Sequence, residues 1–212
     1  PVVIMLHTGS FLPAIANGQP TGDKTDNAIV EMCERFAKKG YLAVALNYRL
    51  GWNPVSTSED VRRSTLIQAA YRGLQDTKTA VRFLRKLAAE DGNPYGVGDK
   101  FAVGGYGTGG YLSLAVATLN DYDSELLMAK FIDNSGDTPM PYIIPSVLGN
   151  FEATDYGMMP ADTTGDGVPD INVPLCIPNH VGYSSEVDMV FNAGGALPDI
   201  SWLEAGEVPI AS

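Results

Sequence analysis

The chain has 212 residues, 45% of them hydrophobic and 18% charged, with 25 acidic against 14 basic side chains. That length bounds a single core, and the composition excludes a disordered or coiled-coil chain. A formal charge of −11 repels polyanions, which argues against nucleic acid and anionic membrane as partners. No apolar run approaches the ~20 residues of a membrane span. The sequence opens on Pro1 with no initiator Met, as expected of a processed or trimmed protein. Cys33 and Cys176 lack C-x-x-C spacing, which argues against a thiolate zinc site. They are either two buried thiols or one disulfide of an oxidising compartment.

Taken in order, Val2–Leu6 is a continuous apolar run, the pattern of a strand buried on both faces. A polar loop follows from His7 to Lys24. Thr25 or Asp26 can cap a helix whose apolar face is Ile29, Met32, Cys33, Phe36 and Ala37, and Gly40 ends it. Tyr41–Asn47 reads as a second buried strand. Arg62–Gly73 is predicted helical, and Asp76 is expected to cap a further helix that Asp91–Pro94 breaks. Phe101–Val103 is a third strand that runs into Gly104–Gly110. Tyr111–Leu119 carries no charge and reads as a buried helix. Lys130–Asp133 is expected as a fourth strand, and Val208–Ala211 as the start of a fifth. This alternation predicts the α/β class, with a mostly parallel sheet and flanking helices, in a single domain over 1–212. Residues 137–206 are rich in Pro, Gly, Asp and Met, and are expected to form an irregular, lid-like insertion.

The glycine-rich turn after Val103 has two readings. In one, Gly105-x-Gly107-x-x-Gly110 follows a strand and opens a helix, as in a dinucleotide-binding loop. Asp133 would then hold a ribose hydroxyl. In the other it is a nucleophile elbow, Gly-x-Ser-x-Gly, in a sharp strand-to-helix turn.

Gly105-Tyr106-Gly107-Thr108-Gly109-Gly110 resembles the Gly-x-Ser-x-Gly-Gly of carboxylesterases, with Gly107 at the nucleophile's position. His7-Thr8-Gly9-Ser10-Phe11 resembles their His-Gly-Gly-Gly-Phe oxyanion loop. Asn47-Tyr48-Arg49-Leu50-Gly51 resembles the Asn-Tyr-Arg-Leu-Gly that follows the next strand. Asp76–Leu84, Gly92-Asn93-Pro94 and Ile132–Gly136 resemble further stretches of the same family in the same order. Residues 2–136 thus resemble the carboxylesterase and lipase-like family of the α/β-hydrolase fold, in part of its length.

The resemblance implies oxyanion donors at the backbone N–H groups of Gly9, Ser10 and Thr108. It gives His7 a structural role. It also implies that the side chain needed for an acyl-enzyme is lost at Gly107. Thr108 offers the adjacent hydroxyl, though one residue along the elbow points away from the pocket mouth. His180, inside the insertion, reads as a packed loop histidine. The expectation is therefore a non-catalytic pseudo-hydrolase domain of a secreted or cell-surface protein, with a binding or structural role. The alternative is a carboxylic ester hydrolase, of the carboxylesterase or carbohydrate-esterase type, with an atypical nucleophile or a triad completed outside this segment. A dinucleotide-binding domain is a further alternative. The expected partners are a small ester or carbohydrate ligand, or another protein.

One motif stands apart. Asp162–Asp170 resembles the Asp-x-Asp-x-Asp-Gly-x-x-Asp calcium loops of dockerins and thrombospondin type 3 repeats. The implied Ca²⁺ ligands are Asp162, Thr164, Asp166, the Val168 carbonyl and Asp170. Thr164 in place of a carboxylate, and Val173 at the twelfth position, weaken the pattern.

Overall fold

The computed structural model describes all residues, 1–212. Val2–Leu6 forms strand β1, with every side chain buried, as expected for a strand covered on both faces. Helix α1 (Asn27–Ala37), strand β2 (Leu42–Leu46), helix α2 (Glu59–Glu90), strand β3 (Phe101–Tyr106) and helix α3 (Thr108–Thr118) follow. The shorter elements after them are β4 (Ile132–Asp133), β5 (Met140–Pro141), α4 (Pro145–Leu148), β6 (Gly157–Ala161), β7 (Ile171–Cys176), β8 (Met189–Ala193) and β9 (Ile210–Ala211).

Five strands make one sheet in the order β2-β1-β3-β8-β9, and every pairing in it is parallel. Val2 lies between Leu42 on one side and Phe101 on the other. The chain first winds outward from β1 to β2. It then returns to the far side of β1 as β3 and continues outward through β8. The reversal puts a topological switch point at the C-terminal ends of β1 and β3, where open α/β sheets place their ligands. The mostly parallel sheet with flanking helices is an α/β-hydrolase-like fold.

Three expectations need correction. The two helices expected around Asp76 are one helix of 32 residues, α2. Ser58 caps its start by accepting from Val61 N, and no proline interrupts it. Asp76 lies in mid-helix, where its carboxylate accepts from Arg49 N at 2.7 Å and Arg49 Nε at 2.9 Å. Lys130–Asp133 supplies no strand to the central sheet. Ala129–Phe131 is a 3₁₀ turn, and Ile132–Asp133 pairs only with β5, antiparallel. The fourth sheet strand is β8, inside the stretch expected to be an insertion. Val190 at its centre is fully buried. Phe191 lies against Gly104 of β3, where any Cβ would fall 1.9 Å from the ring. The start of a strand expected at Val208–Ala211 is present as β9.

The rest of 137–206 is irregular, apart from β5, α4, the antiparallel β6–β7 hairpin and a 3₁₀ turn at Ile200–Trp202. It is tied to α2 by the carboxylate of Glu152, which pairs with Lys78 and Arg82. Burial alone would raise this carboxyl, but Lys78, the Ser185 hydroxyl and Arg82 outweigh it and hold it below its usual value. Of the two cysteine readings the structure has free thiols. Cys33 packs beside Val3, Met5 and Ile29, while Cys176 ends β7 next to Gly149.

Candidate functional site

The loop after β1 carries three successive residues with positive φ: Gly9 at 123°, Ser10 at 56° and Phe11 at 55°. For the two that are not glycine this costs on the order of 1–3 kcal/mol each, so surrounding contacts must hold them. They do so from several directions. The His7 ring is buried and stacks on Tyr48, with centroids 4.4 Å apart. Gly51 N and Trp52 N both donate to Phe11 O. A Cβ on Gly9 would fall 2.5 Å from Gly22 Cα, so the loop packs back-to-back on itself. Asn47 closes the base by donating to Asp23 at 2.9 Å and accepting from Lys24 N at 2.6 Å. The Thr25 backbone N–H, the Thr25 hydroxyl and Asn47 lower the Asp23 carboxyl to about 2.

The second component is the turn from β3 into α3. Gly107 has φ 57° and ψ −119°, a conformation glycine takes without the usual side-chain penalty. Its N–H donates to Ala193 O at 2.9 Å, which ties the turn to β8. The neighbouring glycines serve close packing. A Cβ on Gly105 would lie 2.0 Å from the Gly109 carbonyl carbon, and one on Gly109 would lie 2.2 Å from Leu6 O. Close glycine packing of this kind fits either reading of the turn. Asp133 is outside the central sheet and accepts from Ser135 N, so the dinucleotide reading loses its ribose-binding carboxylate.

Tyr48, just after β2, joins these parts. Its hydroxyl donates to His7 O at 2.7 Å and lies 3.2 Å from Thr108 Oγ1. With the phenol proton committed to His7, Thr108 supplies the proton of the second contact. Burial pushes the Tyr48 phenol well above its usual value. It stays neutral, and Thr108 gains no base from it.

Ser10 and Thr108 open onto one cavity of about 370 Å³, in which 15 of 18 lining residues are hydrophobic. Both tryptophans of the chain, Trp52 and Trp202, are in its wall. The backbone N–H groups of Gly9 and Ser10 make no hydrogen bond within the chain. That of Thr108 belongs to the first residue of α3, whose amide has no partner inside the helix.

The structure thus brings Gly9, Ser10, Gly107 and Thr108 to one edge of the sheet. His180 is not among the cavity residues. It has φ 56° and packs on Phe83, with its basicity lowered by burial and by Lys86 and Arg82. Sequence reasoning missed Tyr48, Trp52 and Trp202 as site residues. The polar trio Asn47-Tyr48-Arg49 directly after a buried strand was the available signal for the first.

The residues expected to hold Ca²⁺ all lie in the exposed turn between β6 and β7. No three His, Cys, Asp or Glu side chains come together as a metal-binding group. Asp162 is engaged by the N–H groups of Thr164, Gly165 and Gly167, Asp166 by Val168 N, and Asp170 by Thr163. The motif is a hydrogen-bonded turn between β6 and β7.

Comparison with known proteins adds three findings. The family model described as BD-FAE matches residues 1–172. A search of curated proteins finds no match. Among solved structures, the chain is similar to a bifunctional GH43-CE protein of Bacteroides eggerthii, at 17% identity and a TM-score of 0.47, over 92% of this chain and 17% of that one. It is similar to a truncated carbohydrate esterase from gut microbiota, at 15% identity and a TM-score of 0.41, over 90% of this chain and 45% of that one. It is also similar to the native esterase Est2 of the planctomycete Thermogutta terrifontis, at 18% identity and a TM-score of 0.42, over 99% of this chain and 57% of that one. The chain spans less than two thirds of each of these structures.

Two predictions follow from the geometry. Tyr48→Phe strips a partner from His7 O and from Thr108, at a cost of about 2 kcal/mol and a fall in Tm of roughly 4–8 °C. Thermal denaturation checks this, and an unchanged Tm would contradict it. Asp23 is depressed in the folded state relative to ~3.9 unfolded. Its contribution is present above pH ~4 and is lost as pH falls toward 2. Between those values the Tm of Asp23→Asn is expected to fall less steeply than that of the native protein.

Proposed function

Because the chain belongs to the BD-FAE family, an α/β-hydrolase-like esterase family, we propose that carboxylic esters are its substrates and that hydrolysis proceeds through a group other than residue 107. One observation carries the reading. A cavity in the small-molecule size range is lined mostly by hydrophobic residues, and Ser10 and Thr108 reach it. An ester matches that division, since a hydrocarbon part is joined to a carbonyl acceptor. The apolar walls take the first. The N–H groups of Gly9, Ser10 and Thr108 take the carbonyl oxygen, and they stabilise it most when attack turns it into an oxyanion.

In this reading Gly107 holds the place of the elbow nucleophile and forms no acyl-enzyme. The next hydroxyl along the chain is that of Thr108. It needs a base to act, and its neutral Tyr48 partner is not one. Gly107 therefore also favours a second reading, in which the site binds esters without cleaving them.

One pair of measurements on the full-length protein separates these readings. Decanoate is expected to change the fluorescence of Trp52 and Trp202, and acetate to do so only weakly. Hydrolysis of nitrophenyl decanoate above the buffer rate, lost in Thr108→Val, supports the catalytic reading. A fluorescence response without hydrolysis supports the binding reading. Absence of both removes the ester site altogether.

A further inference from the structure

Thr8 stands where a side chain at position 107 would go. A Cβ built on Gly107 falls 2.2 Å from Thr8 Oγ1, 2.9 Å from Thr8 Cβ and 3.9 Å from Thr8 Cα. The first two distances are well inside van der Waals contact. Rotation about χ1 can move the hydroxyl away but leaves the Thr8 Cβ in place. The main chain has little room to retreat, because its neighbours are fixed on both sides. His7 is buried, stacked on Tyr48, and accepts from the Tyr48 hydroxyl through its carbonyl. Gly9 is packed against Gly22. The Thr8 hydroxyl lies next to a residue with no side chain of its own.

We infer that Thr8 occupies the volume of the missing elbow side chain, so that residues 8 and 107 are a coupled pair. Residue 107 can carry a side chain without disruption only when residue 8 gives up its own. Thr8 is thus a positioning residue. It directly precedes Gly9 and Ser10 in the loop, and its bulk disfavours any side chain at residue 107. The functional meaning of that volume rests on reading Gly107 as the nucleophile's position, whereas the packing itself does not. A direct consequence is that Gly107→Ser alone rebuilds no usable hydroxyl.

The test is a mutant cycle. Gly107→Ser is introduced into the native protein, into Thr8→Ala and into Thr8→Gly, and Tm is measured for all six proteins. The positive φ of residue 107 penalises serine equally in every background and cancels in the cycle. In the native background the overpacked serine is expected to lower Tm by about 5–10 °C. The loss shrinks in the Thr8→Ala background and falls to half or less in Thr8→Gly. An equal loss in all three backgrounds overturns the inference. If Gly107→Ser alone does not fold, recovery of folded Thr8→Gly/Gly107→Ser protein supports coupling. Failure of that pair, while Thr8→Gly alone folds, overturns it. Decanoate fluorescence on the Thr8→Gly protein keeps the two ideas apart. Coupling without a ligand response removes the ester reading only, and a response without coupling removes this inference only.

Discussion

The Tyr48 phenol holds together three pieces of chain that leave three neighbouring strands. Its ring lies flat on His7, from the loop after β1, and meets Phe11 edge-on at 6.0 Å. Its hydroxyl donates to the His7 carbonyl and receives the hydroxyl of Thr108, at the start of the helix after β3. One residue can do this because β2, β1 and β3 lie side by side with their C-terminal ends together. Buried polar networks of this kind rigidify when every member is satisfied and destabilise when one is not. Here the phenol spends its one proton and still accepts one. The contacts of Tyr48 therefore set the distance between the His7–Phe11 loop and the Gly105–Gly110 turn.

Around that junction the backbone takes uncommon conformations on both sides. Ser10 and Phe11 hold positive φ on one side and Gly107 on the other. Such conformations persist where the surroundings over-determine them. The loop is tied down where Asn47 donates to Asp23 and accepts from Lys24 N, and where Asp26 accepts from Gly22 N. The elbow achieves it with glycine-to-backbone contacts and the bond to Ala193 O. The N–H groups of Gly9 and Ser10 are left without a partner in the chain, and Ser10 and Thr108 line an apolar cavity. That combination suits a ligand with one strong acceptor and a hydrocarbon body.

How much of this could be read in the residues depended on the range of the interaction. β1, β2 and β3 were legible because each is a continuous apolar run, although β2, expected to be buried, is the half-buried edge strand of the sheet. The loop His7–Phe11 and the elbow Gly105–Gly110 were legible because their backbone geometry imposes a local residue pattern. β8 was hidden among Pro- and Gly-rich neighbours, and it becomes a strand through its pairing with β3 and β9. Asp76 looked like a helix cap, but Arg49 recruits it from across the sheet edge. Asp162–Asp170 has the spacing of a calcium loop, yet its carboxylates satisfy their own turn. The contact between Thr8 and Gly107 involves a residue distant in sequence, so neither position alone reveals it.

The account stands or falls on whether the acceptor of an ester-like ligand meets the amides of Gly9, Ser10 and Thr108 while its chain fills the cavity. Amide NMR of the ¹⁵N-labelled protein titrated with decanoate observes both ends at once. The predicted result is a saturating downfield shift of those three backbone N–H signals, together with movement of the Trp52 and Trp202 indole signals. Saturation with shifts confined to other surfaces, or no shift at these amides, would contradict it.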